Sequence, residues 1–243
     1  MLIGGVDSVG AMTALATGRF ADVPLVLLDL DGTIVDSGPG ILEALSHAFA
    51  RCGEPLPPPA VLRTFIGPPL EDSFCGTLGL GRERAEQLRI AYSAYYQQHG
   101  LLSAVPYPGM PELIGALVAE GRTVAVATNK PETSARTLLA HQGLADAFAL
   151  IGGTDRAAGR EGKAAVIGSV LERLGATADR RTPSGIDVVP AVMIGDRLHD
   201  AEGAAEHALP TVLVDWGYGG VVERAVDLPR AHSVEALGAM LRG

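Results

Sequence analysis

Lysine is scarce in this chain of 243 residues. Lys130 and Lys163 are its only lysines, so 17 of its 19 basic residues are arginine, and the formal net charge is −9 at neutral pH. An acidic chain without a basic stretch offers no surface for the phosphate backbone of DNA or RNA. We therefore expect no nucleic-acid polymer among its partners. An acidic protein that handles a phosphate group must place its few cations locally or bind a metal ion.

Cysteines and long apolar runs are equally sparse. Cys52 and Cys75 form neither a CxxC pair nor a disulfide framework, and both lie in apolar helical patterns typical of small buried residues in a reducing compartment. No run approaches the roughly 18 apolar residues of a membrane-spanning helix. Residues 1–23 lack the basic start of a secretion signal. We predict a cytoplasmic protein with no membrane partner, in which residues 1–23 form a poorly ordered N-terminal extension.

Short apolar runs alternate with amphipathic stretches along the rest of the chain. Runs of this length with few polar residues are typical of strands buried on both faces of a parallel sheet. The stretches between them place apolar residues at the i, i+3, i+4, i+7 spacing of a helix. This alternation predicts an α/β fold with a doubly wound parallel sheet. The strand candidates are residues 23–30, 123–128, 148–153, 191–196 and 211–216.

The alternation breaks after the first strand. Residues 37–106 contain several helical patterns and no good strand, and turn signals rich in proline and glycine bracket them at 38–40 and 106–109. We predict a small all-helical cap over residues 37–106. It would be inserted into a core domain made of residues 24–36 and 107–243.

Two carboxylates follow the first strand, in the sequence Asp29-Leu30-Asp31-Gly32-Thr33. Ligands of open α/β sheets bind beyond the carboxyl ends of the strands. Asp29 and Asp31 can share a divalent cation there, or one can attack while the other handles protons. The backbone N–H groups of the turn would be free to cradle an anion. By itself this pair also fits a solvated acidic turn, or the metal-binding DxD of a glycosyltransferase.

A second acidic strand end favours the metal-binding interpretation. Asp196 directly follows the apolar run at 191–195, and Asp200 follows four residues later, where a helix would bring it back to the same edge. Three or four carboxylates at one sheet edge make a hard oxygen site suited to Mg²⁺. Taken alone, this GDxxxD pattern would also fit a helix N-terminus that carries acidic residues.

Polar residues also follow the second strand and open a later helix. Thr128 ends the run at 123–128 and Asn129 follows it, and their hydroxyl and amide suit hydrogen bonds to phosphate oxygens. Lys163 stands at the start of an amphipathic helix, where its charge opposes the helix dipole. An anion above the sheet would explain that placement.

These four elements occur in the order of the motifs of the haloacid dehalogenase superfamily: DLDGT, a strand-end threonine, a lysine and GDxxxD. From about residue 24 to its end the chain resembles that superfamily. The helical segment resembles the C1-type cap of its phosphoglycolate phosphatase-like branch. The stretches at 65–70, 107–110 and 216–219 resemble bacterial 5′-nucleotidase-like members. The resemblance implies a Rossmann-like core, Mg²⁺ as cofactor and phosphoryl chemistry through an aspartyl-phosphate.

The same resemblance implies a role for each motif position. The catalytic residues would be Asp29 as nucleophile, Asp31 as general acid and later base, Thr128 as phosphoryl ligand and Lys163 as neutralising cation. The metal ligands would be Asp29, Asp31 through its backbone carbonyl, Asp196 and Asp200. Phosphate binding would involve Gly32, Thr33, Asn129 and Arg197, although Arg197 could instead pair with neighbouring acids.

Asp31 favours a phosphomonoester hydrolase over a dehalogenase, whose pattern lacks an acid at that position. The expected substrate is a small metabolite phosphate, either a phosphoglycolate-like acid or a nucleoside monophosphate. Relatives that share the IGPP and WGYG stretches have been described as protein tyrosine kinases, so phosphoryl transfer to a protein substrate is the alternative. The chain has no Gly-rich nucleotide loop of P-loop or kinase type. A catalytically inactive interaction module is the third hypothesis, and the occupied motif positions weigh against it.

The aromatic residues near the expected site leave two interpretations open. Tyr92, Tyr95 and Tyr96 could stack on a nucleobase, but at helical spacing they equally fit packing between cap and core. Trp216 and Tyr218 could line the rim of the site or belong to a packed loop.

Overall fold

Six parallel strands form the central sheet of the computed structural model, which describes residues 20–176 and 190–243. The strand order is β5-β4-β1-β6-β7-β8. The bounds are β1 Leu25–Leu28, β4 Thr123–Pro131, β5 Leu150–Thr154, β6 Ala191–Gly195, β7 Thr211–Val214 and β8 Arg230–Ala231. The predicted α/β fold with a parallel sheet is confirmed. The first five of these strands overlap the five predicted runs, whereas β8 is too short to give a sequence signal.

Strand β1 lies in the interior of the sheet, and each of its four residues is apolar and buried. Leu28 at its end pairs with Val126 of β4 on one side and with Ile194 of β6 on the other. Because the three strands are parallel, the segments that follow them emerge side by side at the carboxyl edge of the sheet. This edge is where the predicted site residues begin.

Helices cover both faces of the sheet. On one face, α7 (Lys163–Arg173) and α8 (Leu198–Ala205) pack against the side chains of Leu27, Ala125 and Met193. On the opposite face lie α5 (Met110–Ala119), α6 (Glu132–His141) and α10 (Val234–Arg242). Alternate residues of β1 point to the two faces, as a strand requires. The short helix α9 spans Val221–Arg224.

A two-residue ribbon marks the place where the helical segment leaves the core. Strand β2 (Val35–Asp36) pairs antiparallel with β3 (Val105–Pro106), so that Val35 lies opposite Pro106 and Asp36 opposite Val105. The prediction of no strand within residues 37–106 is wrong at its last two residues. Strands of two residues are too short to produce a period-2 pattern in the sequence.

Four α-helices lie between β2 and β3. They are α1 Gly38–Cys52, α2 Pro59–Arg63, α3 Leu70–Asp72 and α4 Arg82–Tyr95, and a π-helical turn over Tyr96–Gly100 continues α4. The aromatic ring of Phe74 packs edge-on against those of Phe49 and Phe65, with ring centroids 5.9 and 6.0 Å apart. The segment therefore has aromatic packing of its own beside the sheet.

The chain before β1 differs from expectation where it is described. Phe20, which the sequence places in the N-terminal extension, is buried, and its N–H donates to the carbonyl of Met240. Burial of an aromatic side chain against the C-terminal helix lowers the free energy of the folded protein, because it removes apolar surface from water. Of the predicted extension over residues 1–23, residues 1–19 lie outside the described residues. Within residues 20–176 and 190–243, every helix is too short or too polar to cross a bilayer.

Candidate active site

Three carboxylates meet at the carboxyl edge of the sheet. Asp29 follows β1, Asp196 follows β6, and Asp200 lies in the first turn of α8. One oxygen of each lies within 4.8 Å of the others, and all three residues are buried. The N–H of Arg197 donates to Oδ2 of Asp200 at 3.0 Å, which caps α8 and directs Asp200 back to the sheet.

Lys163 lies against this cluster from the first residue of α7. Its Nζ lies 2.7 Å from Oδ1 of Asp29 and 2.7 Å from Oδ1 of Asp200. It also donates to the carbonyl of Ala127 at 2.9 Å. The ammonium group therefore forms two hydrogen bonds and one close ion pair with Asp200, and its partner Asp29 lies 134 positions earlier in the chain.

The cluster holds more negative charge than Lys163 balances. Burial, and then the nearby Asp200, raise the pKa of Asp29 to about 6 although Lys163 opposes the shift. Burial and the neighbouring carboxylates also raise the pKa of Asp196 well above its usual range. Burial would raise the pKa of Asp200 too, but the Lys163 ammonium outweighs it and lowers that pKa. A further cation would relieve the remaining repulsion.

The donor set fits a hard divalent cation. Oδ1 of Asp196 is buried and has no hydrogen-bond partner, and its other oxygen accepts from the N–H of Tyr218 at 2.6 Å. A buried unpaired carboxylate oxygen is costly unless a ligand occupies it. Carboxylate oxygens are the ligands that Mg²⁺ prefers. The group that can hold it consists of Asp29, Asp196 and Asp200, without the side chain of Asp31.

Asp31 has a different partner, which sequence reasoning missed. Both oxygens of its carboxylate accept from Nζ of Lys130, at 2.8 and 2.9 Å. The same Nζ lies 2.9 Å from the hydroxyl of Tyr96, in the helical segment. The available signal was the rarity of lysine: the two lysines of the chain contact the two carboxylates of the first motif.

Thr128 and Asn129 lie near the carboxyl end of β4, beside these groups. Thr128 is buried, and its hydroxyl accepts from the N–H of Lys130 at 3.2 Å. Asn129 donates through Nδ2 to the carbonyl of Gly67 at 3.4 Å, and its Oδ1 is buried without a partner. The unused oxygen is an acceptor, so it can bind a donor group of a ligand that enters from the cavity.

Gly32 and Thr33 do not offer the free N–H groups that were expected. The N–H of Gly32 donates to the carbonyl of Val35 at 2.9 Å, and that of Thr33 points to the carbonyl of Leu30 at 3.4 Å. The expectation is wrong for these two N–H groups because both are directed at carbonyl groups within the turn. Gly32 is needed instead for space and conformation: its φ is +88°, and a Cβ there would lie 2.4 Å from Oδ2 of Asp196.

Arg197 is also committed elsewhere, so its expected role in phosphate binding is not supported by the geometry. Its Nε donates to Oε1 of Glu223 at 3.0 Å, and an Nη donates to the carbonyl of Ile66 at 2.6 Å. The guanidinium therefore pairs with an acid and ties the helical segment to the core. The sequence had left this acid pairing open as its alternative.

The loop after β7 packs onto the first motif rather than forming an open rim. Besides the bond from its N–H to Asp196, Tyr218 donates through its hydroxyl to Oδ1 of Asp36 at 2.7 Å. Nε1 of Trp216 donates to the carbonyl of Thr33 at 3.2 Å. Gly217, between Trp216 and Tyr218, also packs closely on Asp196: a Cβ at this position would lie 2.4 Å from the Asp196 side chain.

A cavity of about 790 Å³ lies between the helical segment and the edge of the sheet. Its wall includes Asp31, Asn129 and Lys130 from the core and Arg89, Tyr92 and Tyr96 from the helical segment. Tyr95 lies elsewhere, because its hydroxyl donates to the carboxylate of Glu43 at an exposed position. The cavity is large enough for a small organic phosphate and contains both aromatic and charged groups.

Comparison with known proteins identifies the family of this chain. The sequence profile of the haloacid dehalogenase-like hydrolase family matches residues 26–214. The 5′-nucleotidase of Pseudomonas aeruginosa is 34% identical over 212 residues, which cover 87% of this chain and 91% of that protein. The phosphoglycolate phosphatase of Rhodospirillum rubrum is 37% identical over 203 residues, covering 79% and 80%.

Two further similarities concern a named kinase and a solved structure. Tyrosine-protein kinase PtkA of Mycobacterium tuberculosis is 37% identical over 195 residues, or 80% of this chain. This chain spans only 63% of that protein's length. The crystal structure of a predicted phosphatase from Clostridium acetobutylicum superposes with a TM-score of 0.79 at 31% identity, covering 89% of this chain and 96% of the other. Because the family profile covers most of the chain and the sheet has the expected parallel fold, the protein belongs to the haloacid dehalogenase-like hydrolases.

Proposed function

We propose that the protein is a Mg²⁺-dependent phosphomonoester hydrolase that acts on a small metabolite phosphate through an aspartyl-phosphate intermediate. The observation that carries the proposal is the 2.7 Å contact between Nζ of Lys163 and Oδ1 of Asp29 inside a buried carboxylate cluster. A carboxylate with a fixed cation beside it can attack a phosphoryl group, whose developing charge that cation then stabilises. The relatives named 5′-nucleotidase and phosphoglycolate phosphatase support the same class of reaction.

Asp29 is the attacking group in this proposal. Lys163 occupies its Oδ1, and among the described residues no hydrogen bond reaches its Oδ2, so Oδ2 is the oxygen available to bond phosphorus. As that bond forms, the bond from phosphorus to the ester oxygen breaks. Thr128 and Asn129 would bind the transferring phosphoryl oxygens, and Lys163 would balance their charge.

Asp31 handles the protons of both half-reactions. In the first, Asp31 starts in its protonated form, gives that proton to the ester oxygen that leaves and becomes a carboxylate. In the second, it takes a proton from water, whose oxygen bonds to phosphorus while the bond to Asp29 breaks and phosphate is released. Each half-reaction is easier than direct attack by water on the ester. Bound Mg²⁺, held by Asp29, Asp196 and Asp200, would supply positive charge to the phosphoryl oxygens.

The helical segment over residues 37–106 is the proposed cap. It contributes Arg89, Tyr92 and Tyr96 to the cavity wall beside Asp31, so the leaving group would lie between cap and core. A closed cavity keeps bulk water from the acyl-phosphate until the cap moves. We therefore assign the choice of substrate to the cavity side of the cap.

Phosphate release tests the proposal directly. With p-nitrophenyl phosphate, the wild type should turn over with Mg²⁺ and stop when a chelator is added. Asp29→Asn should lose at least about a thousandfold in kcat, as expected for a nucleophile. The matched control, Asp146→Asn at an exposed turn, should keep the wild-type rate. A folded wild type that releases no phosphate from this ester, from phosphoglycolate or from nucleoside monophosphates would contradict the proposed function.

Phosphoryl transfer to a protein is the second candidate function, favoured by the 37% identity to a protein named tyrosine-protein kinase. Two observations weigh against it: this chain spans only 63% of that relative, and its sequence has no Gly-rich nucleotide loop of kinase or P-loop type. Radiolabelled ATP distinguishes the two. Label that remains on tyrosine of a protein substrate supports transfer, and intact ATP beside rapid release of phosphate from p-nitrophenyl phosphate supports phosphomonoester hydrolysis.

A further inference from the structure

The ammonium group of Lys130 uses all of its donors next to Asp31, the second carboxylate of the first motif. An ammonium group has three donors. Two of them contact the two oxygens of Asp31, at 2.8 and 2.9 Å, and the third lies 2.9 Å from the hydroxyl of Tyr96. All three residues are buried. A contact to both carboxylate oxygens fixes the plane of the carboxylate as well as its position.

The third partner, Tyr96, belongs to the proposed cap, whereas Asp31 and Lys130 belong to the core. Tyr96 begins the π-helical turn that continues α4, and turns of this kind often occur at functional sites. Its ring stacks on that of Tyr92, with centroids 5.4 Å apart. On another side, a Cβ at Gly100 would lie 2.6 Å from the Tyr96 ring. The hydroxyl of Tyr96 is therefore held in place and moves only with the helical segment.

Lys130 keeps its charge in this environment. Burial favours its neutral form, but Asp31 and Tyr96 outweigh burial and raise the pKa of Lys130 above its usual value. Nζ also lies 5.0 Å from the centre of the Tyr96 ring, a distance at which the ring face attracts a cation. The side chain is therefore a fixed cation next to Asp31, and it is distinct from Lys163, which contacts Asp29.

We propose that Lys130 is a positioning residue that aims Asp31 at the leaving group, and that Tyr96 makes this aim depend on the contact between cap and core. The inference rests on the proposed function, because it assigns Asp31 the proton transfer to the leaving oxygen. A proton donor works only within hydrogen-bond reach of the atom it protonates. With the cap displaced, Lys130 loses its third partner, so Lys130 and the Asp31 carboxylate that it holds are less restricted in orientation. Proton transfer is then fastest in the closed arrangement.

A series of substituted phenyl phosphates tests the inference, since the members have nearly the same shape but different leaving-group pKa values. The variants are Lys130→Met, which removes the cation, and Tyr96→Phe, which removes one hydroxyl. Asp31→Asn serves as the reference for a lost proton donor. Tyr95→Phe is the matched control, because its hydroxyl contacts Glu43 on the exposed side. Thermal melting establishes that each variant folds.

For Lys130→Met we expect a loss of about a hundredfold in kcat/KM with phenyl phosphate and less than about tenfold with p-nitrophenyl phosphate, whose leaving group needs no proton. The plot of log(kcat/KM) against leaving-group pKa should become steeper, as in Asp31→Asn. Tyr96→Phe should shift the slope in the same direction by a smaller amount, and Tyr95→Phe should not shift it.

Equal losses with every ester would overturn the inference, because a merely structural role lowers all rates without changing the slope. If Lys130→Met does not fold, the slope of Tyr96→Phe decides in the same way. A wild type inactive with the whole series would instead remove the proposed function, and the inference with it. Activity with an unchanged slope in both variants would leave the phosphatase intact and refute only the role of Lys130 and Tyr96.

Discussion

The hydroxyl of Tyr218 donates a hydrogen bond to Oδ1 of Asp36, 2.7 Å away. Its oxygen also accepts from the N–H of Gly38 at 2.7 Å. Asp36 ends β2 and Gly38 begins α1, so this one hydroxyl holds the chain at the point where it leaves the core. Through its own N–H the same residue holds Oδ2 of Asp196. The start of the proposed cap and a proposed metal ligand therefore share one residue.

Tyr218→Phe should lower the free energy of unfolding by about 1–3 kcal/mol, because it leaves the N–H of Gly38 with fewer partners and removes a hydrogen bond to a carboxylate. Urea denaturation measures the change. Tyr95→Phe is the comparison, since its exposed bond to Glu43 should contribute no more than about 0.5 kcal/mol. Equal effects of the two substitutions would show that the Tyr218 contact is not special.

Mg²⁺ should stabilise the folded protein independently of any turnover. A ligand that binds only the folded state adds about 2.7 kcal/mol at a hundred times its dissociation constant, so the melting temperature should rise with Mg²⁺ concentration. Asp196→Asn should abolish that rise. In chelator the same variant should be at least as stable as the wild type, because the substitution removes a buried carboxylate next to Asp29 and Asp200. A variant that still responds to Mg²⁺ would place the cation elsewhere.

Two glycine substitutions separate the site from the rest of the fold. A Cβ at Gly217 would lie 2.4 Å from Oδ2 of Asp196 and from the carbonyl of Gly32, so Gly217→Ala should cost about 1–3 kcal/mol and abolish the response to Mg²⁺. Gly115 lies exposed within α5 with no atom near its Cβ position. Gly115→Ala should therefore stabilise the protein by about 0.5–1 kcal/mol with unchanged activity. Normal Mg²⁺ binding by Gly217→Ala would contradict this prediction.

Arg197 should affect stability and leave phosphate binding unchanged. Its guanidinium contacts Glu223 and the carbonyl of Ile66, and loss of a largely buried charge-assisted pair costs about 1.5–3 kcal/mol. We expect Arg197→Met to unfold at lower urea while the inhibition constant of inorganic phosphate changes less than about threefold. An inhibition constant at least tenfold weaker would restore the role in phosphate binding that the sequence motif implied.

Much of the fold follows from local patterns in the sequence. The apolar runs that became β1, β4 and β6 are nearly continuous, and such runs predict buried parallel strands. Once those strands are recognised, Asp29, Thr128 and Asp196 must share one edge, because each lies near or directly after the carboxyl end of a parallel strand. This part of the site needed only the alternation of strands and helices, together with the order of the motifs.

The partners of individual side chains did not follow from such patterns. Lys130 lies 99 positions after Asp31 and 34 after Tyr96, and no periodicity connects the three. The turn through Gly32 uses its own N–H groups, a property of its hydrogen bonds that residue types do not reveal. Arg197 pairs with Glu223 because the fold places α9 beside it. From the sequence, pairing with an acid was only one of two alternatives for Arg197.

The ribbon of β2 and β3 has a consequence for how such a protein can evolve. The chain leaves the core at Asp36 and returns at Val105, directly opposite, and paired residues of antiparallel strands lie only about 5 Å apart. An insertion whose two ends meet can be lengthened, exchanged or shortened without displacing the host fold. Such a fold can acquire a new substrate by replacing one module while the groups that perform the chemical step stay as they are.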